Sequence, residues 1–346
     1  MTIQGFILID VDIAALNNAG GDTSTALENS VVTKKIKKNG KDYPYVSGQA
    51  WRYWWREALK EKFNWEMSPI TREKKIAFTE ADPFKYADDD IFGYMRAAKK
   101  EVMDSDTGKV KSENITLTRV SPLKNSALMA VAYNPVVQNW SSMTRQDGDA
   151  VPYGKDEYCA VMKGMFSLDI DAAGTFSMQN RSGFMNINDA MKNQALSENA
   201  ITVNDPYQRD ISGKPVLLVR IEKSLREKRI KETVAALKYL SGGAKRTTNY
   251  ADVSPKLIVL AAFKSGNHPF SHLAKEDLGK AIFSIDALNE VLQDYADQFD
   301  GPVFIGRRAG FMDELDESLK NLDNTKVTCG PINQIIDRFV DQIRVD

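Results

Sequence analysis

Apolar positions along this chain change period several times, and each change predicts an element. Ile3–Asp12 (IQGFILIDVD) is mostly apolar, alternating and rich in β-branched residues, which predicts a central strand. Val31–Lys37 and Lys41–Val46 alternate on either side of Asn39-Gly40. Both turn residues tolerate positive φ, so this is a hairpin signal. At Ser47 the period becomes helical. Pro44 breaks any earlier helix and keeps Tyr43 extended. The Ser47 hydroxyl is placed to accept an orphan N–H of the first turn. Trp51, Trp54, Trp55 and Ala58 recur at three- and four-residue spacing as one apolar face. Gln49, Arg52, Arg56 and Lys60 recur in the same way on the opposite side.

Downstream the pattern is more broken. Asn64–Thr116 is mixed and charged, with an acidic run at Asp88–Asp90, and predicts a partly helical insertion. Ile115–Val120 predicts a short strand. Ser121–Ala132 predicts a helix capped by Ser121 with Pro122 at its first position. Tyr133–Asp156 has no period and predicts a loop or irregular hairpin. Glu157–Asp171 predicts a long strand or pair of strands, continued by Thr175–Phe184. Asp205–Gly213 is turn-rich, and Pro215–Ile221 is apolar and extended. Glu222–Ser241 predicts a helix with Val234, Leu237 and Leu240 inward, ended by Gly242-Gly243 as a left-handed cap. Pro255–Phe263 predicts a buried strand. A helix over about Ser284–Phe299, a glycine-rich turn over Gly301–Gly310 and two short helices complete the chain. Strand, hairpin, helix, insertion, strands, helix, strand is the order of a βαββαβ unit with insertions. The predicted class is α+β, RRM-like (ferredoxin-like), as a single domain over 1–346.

Composition narrows the function. The 346 residues hold 46 basic and 47 acidic side chains, so nucleic acid would have to be bound by a local patch. The two histidines, His268 and His272, share one segment with Pro269 between them and predict a loop and helix start. A histidine-based hydrolase is disfavoured. Two cysteines suit neither a disulfide scaffold nor a zinc site. No cofactor or metal is expected. There is no run of eighteen apolar residues and no secretory signal, so the expectation is a cytoplasmic protein without a membrane partner.

Three stretches carry candidate chemistry. The Gln49–Arg52–Arg56 stripe reads as a phosphate-binding face or as a solvated face. In GGAKRTT, two glycines permit close backbone approach, and successive N–H groups there make an anion nest or simply a helix stop. The spacing is not that of a P-loop. The long segment Tyr133–Asp156 carries Trp140, Met143 and Arg145, suited to wedging between bases or stacking on them, or to packing back on the domain. Lys34, Lys35, Lys37, Lys38 and Lys41 on the hairpin add a weaker basic feature.

VSGQAWRYWWREAL resembles the Ser/Gly-Gln segment and basic helix of the Cas-seven family, the backbone subunits of type I CRISPR surveillance complexes, in its DevR (Cst-type) branch. ALNNAGG is similar to that family's Leu-Asn loop. ITLTRVSPLKNSALMAV and ALKYLSGGAKRTTNYADVSPKLIVLAAF resemble two later segments, so the likeness runs through most of residues 1–265. The resemblance implies a palm, helical fingers at about 64–115 and a thumb at 133–156. It implies copies that polymerise along a guide RNA (crRNA) in an I-B-like Cascade and present it to target DNA. It also implies other Cascade subunits as partners: a five-prime-end capping subunit, a large subunit and a crRNA-processing endonuclease. Carried over, Asn17, Ser47, Gln49, Arg52 and Arg56 would face phosphates. Gly243, Ala244, Lys245, Arg246 and Thr247 would line the same track, with Met143 and Arg145 on the thumb. Tyr53 departs from the basic residue related members often carry, and would stack on a base or pack beneath the track. The role implied is non-catalytic. The alternatives are a type III-like subunit that cleaves RNA with Asp22, and a transcriptional autoregulator.

Overall fold

The computed structural model describes residues 1–21, 31–74, 76–103, 110–145, 147–181 and 183–346. The chain divides into two compact units. The first comprises 1–62, 125–167 and 234–342, and the second 63–124, 168–233 and 343–346. The architecture is mixed α+β. Among the described residues no helix is long and apolar enough to cross a membrane.

The first unit is built on one large sheet. Its main path runs Val327–Pro331, Val303–Arg307, Leu257–Phe263, Thr2–Ala14, Val151–Asp169, Leu128–Ala130, Lys41–Val46, Lys35–Lys38. Thr2–Ala14 pairs antiparallel with Leu257–Phe263, from Thr2 opposite Phe263 to Leu8 opposite Leu257. Phe6, Ile7, Leu8, Ile258 and Val259 are fully buried, as expected where both faces of a sheet are covered. The lysine-bearing hairpin forms as its Asn-Gly turn requires, with φ of 50° at Asn39 and 76° at Gly40.

The tryptophan helix spans Gly48–Phe63 and buries Trp51, Trp54, Trp55, Ala58 and Leu59. The Trp51 and Trp55 rings lie 5.5 Å apart, and Trp55 meets Phe166 edge-on at 5.1 Å. His268 sits in a loop, as expected, but the segment continues into the hairpin Ala274–Asp277/Lys280–Phe283 and not into a helix. Its Nε2 lies 3.0 Å from the Gly5 carbonyl and 3.2 Å from that of Phe166, so the ring joins main chain to main chain.

Three expectations are corrected, and a fourth segment takes one of its two expected forms. Ser121–Ala132 is not a helix but contains the strands Leu123–Asn125 and Leu128–Ala130. Leu128–Ala130 is held on both sides, by Tyr45–Val46 and by Met162–Lys163, and those distant partners override the local capping signal. Gly301–Gly310 contains the strand Val303–Arg307, paired antiparallel to Leu257–Phe263 and parallel to Val327–Pro331. The helix expected over Glu222–Ser241 is α over Lys223–Ala235, then 3₁₀ over Ala236–Tyr239. The chain leaves it at Leu240 with φ −56° and ψ 125°, ahead of the two glycines, so these are not its left-handed cap. Tyr133–Asp156 resolves to its hairpin alternative. Val137–Met143 pairs with the start of Val151–Asp169, from Val137 opposite Glu157 to Met143 opposite Val151. Exposure on both faces of Val137–Met143 explains why that strand shows no period.

In the second unit the segment 64–115 is mostly β where the sequence suggested helix. It holds the hairpin Ile70–Glu73/Ile76–Thr79, the short helix Ala87–Phe92, and the hairpin Tyr94–Met103/Val110–Arg119. A three-stranded sheet orders Thr175–Phe176, Pro215–Arg220 and Ile201–Arg209. The acidic run Asp88–Asp90 is buried and not solvated. Asp90 is completely buried between Arg119 and Arg229, and its carboxylate also accepts the Gly174 N–H at 3.0 Å from each oxygen.

Candidate nucleic-acid interface

The candidate site lies in the first unit, at the N-terminal end of the tryptophan helix. The Ser47 Oγ accepts the Ala50 N–H at 3.3 Å, which is the predicted cap. The Ser47 N–H in turn donates to the Asn17 Oδ1 at 2.9 Å, and the Asn17 carbonyl accepts the Lys34 N–H at 3.0 Å. Asn17 therefore anchors the helix entry to the loop after the first strand.

The Gly-Gly-Ala-Lys segment reaches the same loop. The Ala244 N–H donates to the Leu16 carbonyl at 3.0 Å, so that amide is engaged with the chain and does not form part of an anion nest. Gly243 has φ 98°, and a Cβ there would lie 2.6 Å from Leu16 Cδ2. A Cβ on Gly242 would lie 2.2 Å from Trp54 Cδ1. Both glycines exist for close approach to a side chain. Leu16-Asn17 thus ties the cationic helix and the Gly-Gly-Ala-Lys segment to one point.

On the helix, Gln49 is exposed and Arg52 and Arg56 are half-buried. Arg52 Nη1 donates to Asn125 Oδ1 at 2.9 Å. Asn125 Nδ2 donates to the carbonyls of Gly48 and Ser126, at 3.1 and 3.0 Å, so this amide is fixed on both sides. Burial, and after it the neighbouring Arg56 cation, lowers the Arg52 pKa to about 10. The group stays charged at neutral pH, and an arriving anion relieves its repulsion with Arg56. Tyr53 is 60% exposed, which removes the option of packing beneath the track.

Beyond Ala244, Lys245 adopts φ 54° and places its Nζ 5.2 Å from the centre of the Tyr153 ring, on the hairpin expected as the thumb. Arg246 and Thr247 are exposed at the start of the short helix Arg246–Asn249. The hairpin base is locked by Glu157. Its carboxylate accepts from Lys155 Nζ at 2.6 Å, Asn139 Nδ2 at 2.7 Å and Asn249 Nδ2 at 2.9 Å. Burial alone would raise its pKa, but these three donors bring it below the usual carboxylate range. Met143 and Arg145 are exposed at the far end of the hairpin, and Trp140 is 63% exposed along it. Hydrogen bonds join Asn17 to Ser47 at the helix start and Leu16 to Ala244 in the Gly-Gly-Ala-Lys segment. Arg52 and Arg56 are neighbours on the helix, and Met143 pairs with Val151, two residues along the hairpin from the Tyr153 that Lys245 reaches. Asp22 lies outside the described residues. Among the described residues no group of three or more His, Cys, Asp or Glu side chains is placed to hold a metal ion.

Sequence reasoning passed over Asn125, Glu157 and Asn249. Each is a single polar residue with no pattern around it, and each has a partner more than seventy positions away, Arg52 for Asn125 and the Glu157–Asn249 pair for one another.

The family model of the CRISPR-associated negative auto-regulator DevR/Csa2 matches residues 8–280. No curated protein matches the chain. Solved structures do match, and two of them each cover 99% of both chains. One is described as a CRISPR RNA-guided surveillance complex, with TM-score 0.51 and 9% identity. The other is such a complex in a pre-nicking state, with TM-score 0.54 and 10% identity. At these identities the likeness is one of fold. The match to the family model covers most of the chain, and the protein belongs to the CRISPR-associated DevR/Csa2 family.

Proposed function

We propose that this protein is a non-catalytic, guide-RNA-binding backbone subunit of a type I, I-B-like CRISPR surveillance complex. The observation that carries the reading is the convergence of the Arg52/Arg56 helix and the Gly-Gly-Ala-Lys segment on Leu16-Asn17. A guide-binding subunit reads backbone and shape and leaves sequence to base pairing, so it needs cations and wedges and no catalytic cluster. A near-neutral chain with a confined basic track suits that role. An RRM-like palm is supported by the sheet. Leu257–Phe263, Thr2–Ala14, Val151–Asp169 and Leu128–Ala130 lie side by side in the order fourth, first, third, second of a βαββαβ unit.

In this reading Gln49, Arg52, Arg56, Lys245 and Arg246 hold phosphates, with Gly243 and Thr247 beside them. Asn17, Ser47 and Ala244 fix the frame. Met143, with Arg145 nearby, is the wedge of the thumb. Segment 64–115 supplies fingers. Further copies of the chain assemble head to tail along the crRNA in the cytoplasm. The crRNA pairs with target DNA, and a capping subunit, a large subunit and a processing endonuclease complete the particle.

Arg52→Ala with Arg56→Ala is expected to weaken crRNA binding about tenfold, equally for unrelated spacer sequences, measured by filter binding. The slope of log affinity against log salt should fall by about 1.4, or roughly 0.7 per lost single-strand contact. A loss confined to some spacers contradicts a phosphate role.

Asn125→Ala should weaken binding by withdrawing the rest on which Arg52 sits. In the Arg52→Ala background it should then add nothing, because both changes remove one contact. Additive losses would give Asn125 a separate role.

The family's description as a negative auto-regulator favours one other reading, binding of promoter duplex by the free protein. Tighter binding of that duplex than of crRNA, with no small RNA copurifying, would decide for it.

A further inference from the structure

The second unit carries a feature that the guide track does not use. In the sheet of Ile201–Arg209 and Pro215–Arg220, Asn204 pairs with Leu217 and Arg209 with Pro215, and the register shifts between them. The extra residues form a protruding loop, DPYQRDISGK.

The loop is stiff. The Asp205 carboxylate accepts the N–H groups of Tyr207 and Gln208 at 2.8 and 3.0 Å. The Asp210 carboxylate accepts from the Ser212 N–H, the Ser212 hydroxyl and the Lys214 N–H at 2.7–2.9 Å. The Asp210 N–H closes the turn on the Lys214 carbonyl at 2.8 Å. Both carboxylates are thereby turned into their own loop. The Asp210 pKa is lowered by its hydrogen bonds to the Ser212 hydroxyl and the Lys214 N–H.

What the loop presents outward is different in character. Tyr207 is 89% exposed and Ile211 is fully exposed. Ile211 lines an open cavity of about 900 Å³ together with the cations Arg181, Arg209 and Lys214 and the apolar Met178 and Leu217, among others, and Tyr207 adjoins it as the chain neighbour of the lining residue Gln208. Arg181 stacks on the Phe184 ring at 4.7 Å, which holds its guanidinium in place. Among the described residues none of the three cations makes an ion pair with a carboxylate.

We infer that this cleft is a second nucleic-acid site, one that takes a single strand by its phosphates and stacks a base on Tyr207. Three cations face one carboxylate that is already engaged, so the cleft attracts an anion. The amides of Asn204 and Gln208 suit sugar and base edges. An exposed tyrosine one residue from a groove that carries three cations on an apolar floor is an arrangement that binds single strands without regard to sequence. Because the loop is preorganised, little ordering entropy opposes binding. A second copy of the chain is the competing occupant, since Ile211 and Leu217 are also exposed. The charge of the cleft favours nucleic acid over it.

The test uses the full chain and fluorescein-labelled (dT)12 at low salt, read by anisotropy. In the Arg52→Ala/Arg56→Ala background, binding of the oligonucleotide should persist. Adding Arg209→Glu and Lys214→Glu should lower it at least tenfold without changing the thermal midpoint, because both side chains are exposed. A photoreactive benzoylphenylalanine in place of Tyr207 should crosslink to the oligonucleotide. Unchanged affinity in the charge-reversed protein, or a crosslink joining two protein chains, overturns the inference. If instead the Arg52/Arg56 pair has no effect while the Arg209/Lys214 pair does, the guide track fails and the cleft stands.

Discussion

Asp90→Ala should destabilise the second unit by roughly 3–5 kcal/mol, the cost of removing one partner from a buried ion pair. The side chain is completely buried, while those of Arg119 and Arg229 are only 3% and 4% exposed. Arg119 also donates to the carbonyls of Asp90, Thr175 and Ala172, at 2.7, 3.0 and 2.9 Å, and lies over the Phe176 ring at 4.3 Å. Arg229 donates to the carbonyls of Pro83 and Phe84. Neither guanidinium has room to swing into water, so truncating Asp90 leaves two buried cations without their counter-charge. The Gly174 N–H loses its acceptor as well. Asp90→Asn keeps the shape and one acceptor oxygen and should cost less. Urea denaturation followed by tryptophan fluorescence checks both, through Trp65, whose Nε1 donates to Glu232 at 2.6 Å within this unit. A loss below about 1 kcal/mol for the alanine variant would mean that the triad is not what holds the unit together.

The same triad shows where sequence reasoning stops. Asp88–Asp90 is an acidic run in a charged stretch, and such runs ordinarily face water. What buries this one is a pair of arginines 29 and 139 positions away, and no periodicity announces them. The tryptophan helix and the Asn-Gly hairpin were legible because their determinants are local: a capping serine, three- and four-residue spacing, two turn residues that accept positive φ. Segment 64–115 reads as partly helical because lysine, glutamate and alanine are weak strand formers; it holds one short helix, Ala87–Phe92, and the pairing of Tyr94–Met103 with Val110–Arg119 outweighs propensity in the rest. In the candidate site the cations were legible and their supports were not. Arg52 belongs to a stripe, whereas Asn125 is one amide whose meaning appears only when Gly48 and Ser126 come to meet it.

Gly242→Ala is expected to cost about 1–3 kcal/mol, the usual range for forcing extra volume into a packed place, and to weaken crRNA binding beyond what the lost stability explains. The sequence suggests that this glycine ends a helix as part of a left-handed cap, where alanine would cost backbone strain alone. The structure gives it another reason. Its added Cβ would stand 2.2, 2.3 and 2.5 Å from Cδ1, Cγ and Nε1 of Trp54, whose ring is buried at only 5% exposure. The indole belongs to the packed face of the Arg52/Arg56 helix, so it yields only by moving that helix or by lifting Gly242–Lys245 away from it. Either response separates the two cationic edges that meet at Leu16-Asn17. The salt slope of crRNA binding should therefore fall by about 0.7, one contact, although no cation has been removed. Gly266→Ala is the matched control, since nothing lies within 4 Å of its added Cβ. It should leave stability within about 0.5 kcal/mol and binding unchanged. If Gly242→Ala destabilises the protein but keeps the full salt slope, the Gly-Gly-Ala-Lys segment is packing alone and Lys245 does not reach the guide.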